Sequence, residues 1–116
     1  MAVTKARVRR IALSFEGAIE VVHADRPAFR TTRKIFATLP PDEQVVNLMF
    51  DLPTQEFFRE QAPSVIEPLP GGWGRMGMSR CDLKAADETL VHSALKAAYT
   101  LALPKPKAVK KAKRTG

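Results

Sequence analysis

Four short runs rich in β-branched and aromatic residues constrain the fold more than any other feature of this sequence. The runs occupy residues 18–23, 27–30, 33–39 and 44–50. The clusters that separate them are Ala24-Asp25-Arg26, Thr31-Thr32 and Pro40-Pro41-Asp42. Because connections this short join neighbouring antiparallel strands, the pattern predicts a four-stranded meander.

Sequence patterns typical of helices precede and follow this meander. Val8, Ile11, Ala12 and Phe15 recur at helical spacing and predict an amphipathic first helix that ends near Gly17. Pro53 predicts the start of a short second helix, over the sequence TQEFFREQA, which stops at Pro63. Asp82 is expected to cap a long last helix, because apolar residues after it repeat every three or four positions.

Two more strands, over residues 65–69 and 73–79, are expected around the turn cluster Pro70-Gly71-Gly72. The element order is then α-β-β-β-β-α-β-β-α. It predicts an α+β fold with an antiparallel sheet and helices packed on one face, formed by residues 1–103. Residues 104–116 form a Lys-rich segment with little apolar surface to bury, so we expect a disordered tail.

Strand parity assigns side chains to the two faces of the predicted sheet. The face under the helices is expected to hold Ile35, Ala37, Leu39, Val46, Leu48, Phe50, Met76 and Met78. The opposite face would carry Arg30, Lys34, Phe36, Trp73 and Arg75. Basic and aromatic side chains on an open sheet can contact phosphates and stack on bases. The alternative is that Phe36 and Trp73 cover each other beneath a loop.

The positive charge is concentrated at the two ends of the chain. The formal net charge is +7, and six cations without any acid lie in the last segment: Lys105, Lys107, Lys110, Lys111, Lys113 and Arg114. The first predicted helix adds Lys5, Arg7, Arg9 and Arg10, whereas residues 15–104 carry a net charge of −3. The ends therefore predict contacts with phosphates, and the alternative for the tail is a solubilising segment.

Several classes of protein are disfavoured by what the sequence lacks. No apolar run approaches the roughly 20 residues of a membrane helix, and no apolar segment follows the charged start. Cys81 is the single cysteine, and His23 and His92 are the two histidines, so neither an internal disulfide nor a spaced metal site is predicted. We expect a cytoplasmic monomer without membrane contact, cofactor, metal or enzymatic activity.

Five short segments give the chain a resemblance to a known family. They are Gly17-Ala18-x-Glu20, Pro27-Ala28-Phe29-Arg30, Lys34-Ile35-Phe36-Ala37, Gly72-Trp73 and Ala98-Tyr99. In this order and spacing they resemble the MmcQ/YjbR family of small bacterial proteins, over about residues 5–103. The departures are Glu16, where the family often has proline, and Arg33, where a glycine commonly precedes the lysine.

The resemblance implies a CyaY-like α+β fold and a DNA-binding function. Carried over to matching positions, it implies Arg30, Lys34 and Trp73 as contact residues, and the parity of the strands adds Arg33 and Arg75. Frataxin-like proteins of related fold carry an acidic ridge on the first helix, whereas this first helix is basic, so an iron-donor role is disfavoured. The predicted function is weak, largely non-sequence-specific DNA binding, and the alternative is a non-enzymatic protein-interaction module.

Overall fold

Six short strands and four helices make up the computed structural model, which describes residues 2–104. The strands form one antiparallel sheet in the order β1-β2-β3-β4-β6-β5. The elements are α1 (Lys5–Leu13), β1 (Ile19–His23), β2 (Arg26–Arg30), β3 (Ile35–Thr38), β4 (Val45–Leu48), α2 (Leu52–Gln61), β5 (Ile66–Pro68), α3 (Gly71–Arg75), β6 (Ser79–Asp82) and α4 (Glu88–Ala102). The predicted α+β fold with an antiparallel sheet is confirmed. The predicted tail, residues 104–116, lies outside the described residues from Lys105 onward.

Side-chain caps begin the three longer helices. The Thr4 side chain accepts a hydrogen bond from the backbone N–H of Arg7 at the start of α1. The Asp51 side chain accepts one from the backbone N–H of Thr54 at the start of α2. Asp87 accepts from the backbone N–H of Leu90 and begins α4. The expectation that Asp82 caps the last helix is therefore wrong. Asp82 ends β6, and its carboxylate instead accepts from the N–H of Lys84 in the turn that follows.

An aromatic cluster joins the two terminal helices to the sheet. The Phe15 ring lies 4.9 Å from that of Tyr99 and 6.4 Å from that of Phe36, measured between centroids. The Tyr99 hydroxyl also donates to the carbonyl oxygen of Glu16, where the chain leaves α1. Since α1 packs against α4, and α4 against β3 and β4, these helices cover one face of the sheet. We call the other face the open face.

A β-bulge in β3 makes the parity prediction wrong for Ile35 and Phe36. The register between β2 and β3 shifts between Phe29 and Arg30. Phe36 on β3 is therefore left without a partner residue on β2. Phe36 and Ala37 are consequently both fully buried in the core under the helices. Ile35 lies on the open face instead, together with Thr38.

The segment predicted as a strand over residues 73–79 is also different. Its first half is the short helix α3, and only Ser79 belongs to β6. Two glycines permit this packing: a Cβ on Gly74 would lie 1.8 Å from the carbonyl oxygen of Leu69, and one on Gly77 2.5 Å from that of Phe50. Met76 is consequently exposed, and Met78 lies on the open face, so neither belongs to the floor under the helices.

Candidate nucleic-acid interface

A groove of about 420 Å³ crosses the open face between the β1–β2 hairpin and α3. We call it the Trp73 groove. Its apolar lining is Ala24, Ile35, Met49, Leu69, Trp73 and Met78, and its polar lining is His23, Arg26, Thr38 and Asn47. No acidic side chain lines it among the described residues. The groove therefore presents an aromatic and apolar surface with hydrogen-bonding groups and positive charge.

The hairpin turn determines where Arg26 and His23 lie. Ala24 and Asp25 both have positive φ, 52° and 63°, as in the two-residue turns whose twist matches that of paired strands. His23 and Arg26 are consequently direct cross-strand partners, and both side chains line the groove. The Nε of Arg26 is buried and has no hydrogen-bond partner among residues 2–104. A ligand or water that accepts from this nitrogen would remove the cost of leaving it unpaired.

Trp73 is held at the rim of the groove by hydrogen bonds to the backbone around it. The Gln55 side-chain amide donates to the carbonyl oxygen of Gly74 at 3.0 Å and contacts the Ser79 hydroxyl at 3.2 Å. The backbone N–H of Met78 donates to the Trp73 carbonyl oxygen. The Trp73 side chain remains 61% exposed, and the Phe36 ring is buried on the opposite side of the sheet. The alternative in which these two rings cover each other is therefore wrong.

A second groove, of about 610 Å³, begins where the Trp73 groove ends. We call it the Lys34 groove; it is lined by Arg33, Lys34, Met49, Phe50, Asp51, Thr100, Leu101, Leu103 and Pro104. Met49 lines both grooves, so they are adjacent. Pro104 is the last described residue, and it lines this groove together with Lys34; in the sequence the basic segment follows it from Lys105.

The structure separates the sequence-predicted contact residues. Trp73 lines the first groove, and Arg33 and Lys34 line the second. Arg30 donates to the carbonyl oxygens of Thr31 and Thr32, and Arg75 is exposed but lines neither groove. The remaining candidates lie outside the described residues: Lys105, Lys107, Lys110, Lys111, Lys113 and Arg114.

Arg33 has a structural role that its sequence position did not indicate. Its guanidinium donates to the carbonyl oxygens of Leu101, Ala102 and Leu103 at the C-terminal end of α4. Carbonyl groups at a helix C-terminus lack intrahelical partners and carry partial negative charge. The Arg33 charge is thus used to cap a helix.

Two of the four cations of α1 are paired with acids within the protein. Arg7 pairs with Glu88, and Arg9 with Glu20, while the Lys5 ammonium donates to the Pro40 carbonyl oxygen. Each pair lowers the pKa of its glutamate, mainly through the hydrogen bond from the arginine. The expectation that the first helix supplies phosphate contacts is therefore weakened for Arg7 and Arg9, whereas Lys5 and Arg10 form no ion pair within residues 2–104.

The other half of the open face has a different electrostatic character. A groove of about 250 Å³ near β5 and β6 contains the acids Glu43, Glu67 and Asp82. Arg80 lies between two of them, 3.5 Å from the Glu43 carboxylate and 3.7 Å from that of Glu67. This groove is less suited to a polyanion than the acid-free Trp73 groove.

The single cysteine is placed unfavourably for nucleophilic catalysis. Cys81 is fully buried, and burial raises the pKa of its thiol to about 12, so it is not a thiolate near neutral pH. Within residues 2–104, no three His, Cys, Asp or Glu side chains are grouped so that they could hold a metal ion. Absence of enzymatic activity stays a prediction.

Comparison with known proteins identifies the family. The family model named YjbR matches residues 13–101, most of the chain. The chain belongs to the YjbR family. The match includes both grooves, apart from the final residues of the Lys34 groove. The predicted resemblance is confirmed, whereas family membership alone does not establish what the protein binds.

One solved structure similar to this YjbR family member is the crystal structure of Deinococcus radiodurans protein DR2400, domain DUF419. The two chains are 18% identical and superpose with a TM-score of 0.74, over 94% of this chain and 86% of the other. The likeness confirms the fold. No curated protein matches the sequence. Among residues 2–104, no helix is both long and apolar enough to cross a bilayer.

Sequence reasoning missed most of the residues that line the Trp73 groove. The sequence pattern assigns Arg26 to a turn, and strand parity assigns Ile35 and Met78 to the face under the helices. The two-residue turn at Ala24-Asp25 is a signal that could have located Arg26, because it makes His23 and Arg26 cross-strand partners. The bulge at Phe36 has no comparable signal.

Proposed function

We propose that this YjbR family member binds DNA weakly and largely without sequence preference. The observation that supports this most directly is the acid-free Trp73 groove, in which an exposed aromatic ring and Arg26 lie on the same open sheet face. Aromatic side chains that stack on bases, together with cations that meet phosphates, make up the usual single-strand binding surface.

The adjacent grooves define a path for the strand. From Arg26 the path crosses the Trp73 groove to Met49, and then follows the Lys34 groove to Pro104. The basic segment continues from that point, and its six cations add phosphate contacts by counterion release. Along the path, Arg26 and Lys34 form no ion pair within residues 2–104.

Weak binding agrees with the net charge of −3 over residues 15–104, because the folded part as a whole does not attract a polyanion. Arg7, Arg9 and Arg80 are paired with acids, and Arg33 caps a helix. The basic segment would then supply most of the electrostatic attraction, which does not depend on base sequence.

A protein-interaction module is the second candidate. It is favoured by the outer strand β1, where Ile19 is 54% and Val22 80% exposed. Exposed apolar side chains on an unpaired strand edge fit a partner that adds a strand to the sheet. Such a complex depends on backbone hydrogen bonds and apolar contacts, so its affinity changes little with salt.

Fluorescence anisotropy of labelled single- and double-stranded DNA across a salt series distinguishes these functions. Three full-length chains are compared: wild type, a variant with the six tail cations replaced by serine, and Arg26→Ala/Lys34→Ala. Each lost phosphate contact should reduce the logarithmic salt slope by about 0.7 for single strands and about 0.9 for duplex DNA.

We expect both variants to bind more weakly than wild type and with a smaller salt slope. If only the serine variant loses affinity, the basic segment alone binds DNA and the folded surface has another partner. If wild type binds neither form of DNA at low salt, the DNA-binding proposal is wrong and the β1 edge becomes the surface to test.

A further inference from the structure

We propose that the Trp73 groove seats one unpaired base of a single DNA strand, with a phosphate next to that base against Arg26. This inference rests on the DNA-binding function proposed above and specifies its ligand. It predicts a preference for single-stranded over duplex DNA, because a base within a duplex has both faces stacked and cannot lie on the Trp73 ring.

The shape and lining of the groove suit a planar ring. Its volume of about 420 Å³ falls within the range of small-ligand sites, roughly 300–1,000 Å³. Trp73 forms one wall with an exposed ring, and Ile35, Met49 and Met78 provide apolar surface beside it. An aromatic ring of this kind stacks on any base, which agrees with binding that lacks sequence preference.

Two polar side chains at the groove can hydrogen-bond the edge of a base. Thr38 and Asn47 are cross-strand partners on β3 and β4, and both line the groove. The hydroxyl of Thr38 and the amide of Asn47 each offer a donor and an acceptor. Because an amide group can rotate to exchange its donor and acceptor, this pair accommodates more than one base.

Charge favours an anionic ligand over a neutral or cationic one. The only formal charge in the described lining, with histidine neutral, is that of Arg26. The Nε of Arg26 is buried and has no protein acceptor within residues 2–104, so a phosphate oxygen would complete its hydrogen bonding. The acidic groove beside Arg80 lacks this complementarity.

Trp73 is the only tryptophan of the chain, so its fluorescence reports directly on the groove. The full chain is titrated with a short oligothymidylate and with an oligomer of the same length made of abasic sites. The two ligands carry the same number of phosphates and differ only in their bases. We expect the oligothymidylate to quench Trp73 and to bind more tightly, whereas the abasic oligomer binds without quenching.

Variants test the stacking contact by anisotropy of the labelled oligomers. Trp73→Ala should weaken oligothymidylate binding by roughly 5- to 150-fold, the range of a lost base–aromatic stack, and leave abasic binding unchanged. Trp73→Phe retains a ring and should lose less. Arg75→Ala is the matched control, because Arg75 lies on the same short helix but outside the groove, and should affect both ligands equally.

The outcomes separate this inference from the proposed function. If both oligomers bind equally well, or if Trp73→Ala weakens both equally, no base occupies the groove although the protein still binds DNA. If neither oligomer binds at low salt, this inference is wrong, and the DNA-binding proposal is wrong as well if duplex DNA also fails to bind. Thermal unfolding of each variant shows whether it is folded, which is expected because the Trp73 side chain is largely exposed.

Discussion

The guanidinium of Arg33 donates a 2.7 Å hydrogen bond to the carbonyl oxygen of Leu101, at the C-terminal end of α4. The last turn of α4 contains no basic residue of its own. Arg33 therefore supplies the positive charge that stabilises the C-terminal end of this helix. The turn before β3 and the C-terminal end of α4 are thereby joined.

Arg33→Ala should therefore lower the free energy of unfolding by about 1 kcal/mol, because several carbonyl groups lose a charged donor. Lys34→Ala is the neighbouring control and should change stability by less than about 0.5 kcal/mol, since Lys34 is exposed. Urea unfolding measures both. Equal stability of the two variants would show that the Arg33 cap contributes nothing.

Gln55→Ala should cost about 2 kcal/mol of stability. The Gln55 amide is buried and donates to the Gly74 carbonyl oxygen, which would be left without this partner. Because Gly74 follows Trp73 in α3, we also expect the Trp73 emission maximum to shift. Gln61→Ala, at the exposed end of the same helix, is the control and should change neither. A Gln55→Ala protein as stable as wild type would contradict this role.

The turn at Ala24 offers a stabilising substitution. Ala24 has φ of 52°, a conformation that costs L-residues roughly 1–2 kcal/mol but that asparagine adopts more readily. Ala24→Asn should raise the free energy of unfolding by about 0.5–1 kcal/mol, and Ala24→Val should lower it because β-branched residues disfavour positive φ. Thermal unfolding measures both changes, and an Ala24→Asn variant less stable than wild type would rule out a strained turn.

The Arg9–Glu20 pair predicts a pH dependence of stability. The Glu20 carboxylate accepts two hydrogen bonds from Arg9, at 2.7 and 3.0 Å, which lower its pKa from the ordinary value of 4.5. A carboxylate with a lowered pKa in the folded state stabilises the protein above its unfolded pKa, and this stabilisation is lost as the pH falls through the folded pKa.

Glu20→Gln should therefore lower stability by less than about 1 kcal/mol near neutral pH, because the pair is partly exposed and screened by solvent. The difference in the free energy of unfolding between Glu20→Gln and wild type should disappear as the pH falls below 4.5. Urea unfolding at several pH values follows this change. Glu16→Gln, a nearby exposed position, serves as control, and a difference that stays constant with pH would exclude the ion pair as its cause.

The local pattern of the sequence determined most of the secondary structure and the fold class. Short apolar and β-branched runs between turn residues produced β1 to β5 at nearly their predicted positions, because strand formation here follows alternation and turn chemistry. The periodicity at Val8, Ile11 and Phe15 likewise produced α1, since a helix with one apolar face must cover a core.

Only the tertiary structure decided which side chains form the open face. One extra residue at the β3 bulge placed Phe36 in the core and Ile35 in the groove, and strand parity cannot detect a bulge, because a bulge interrupts the alternation on which parity depends. The helix that carries Trp73 depends on the closeness of Gly74 to the Leu69 carbonyl oxygen and on the hydrogen bond from Gln55. The hydrogen bond joins residues 19 positions apart and the bulge depends on pairing with another strand, so local sequence preference contains neither.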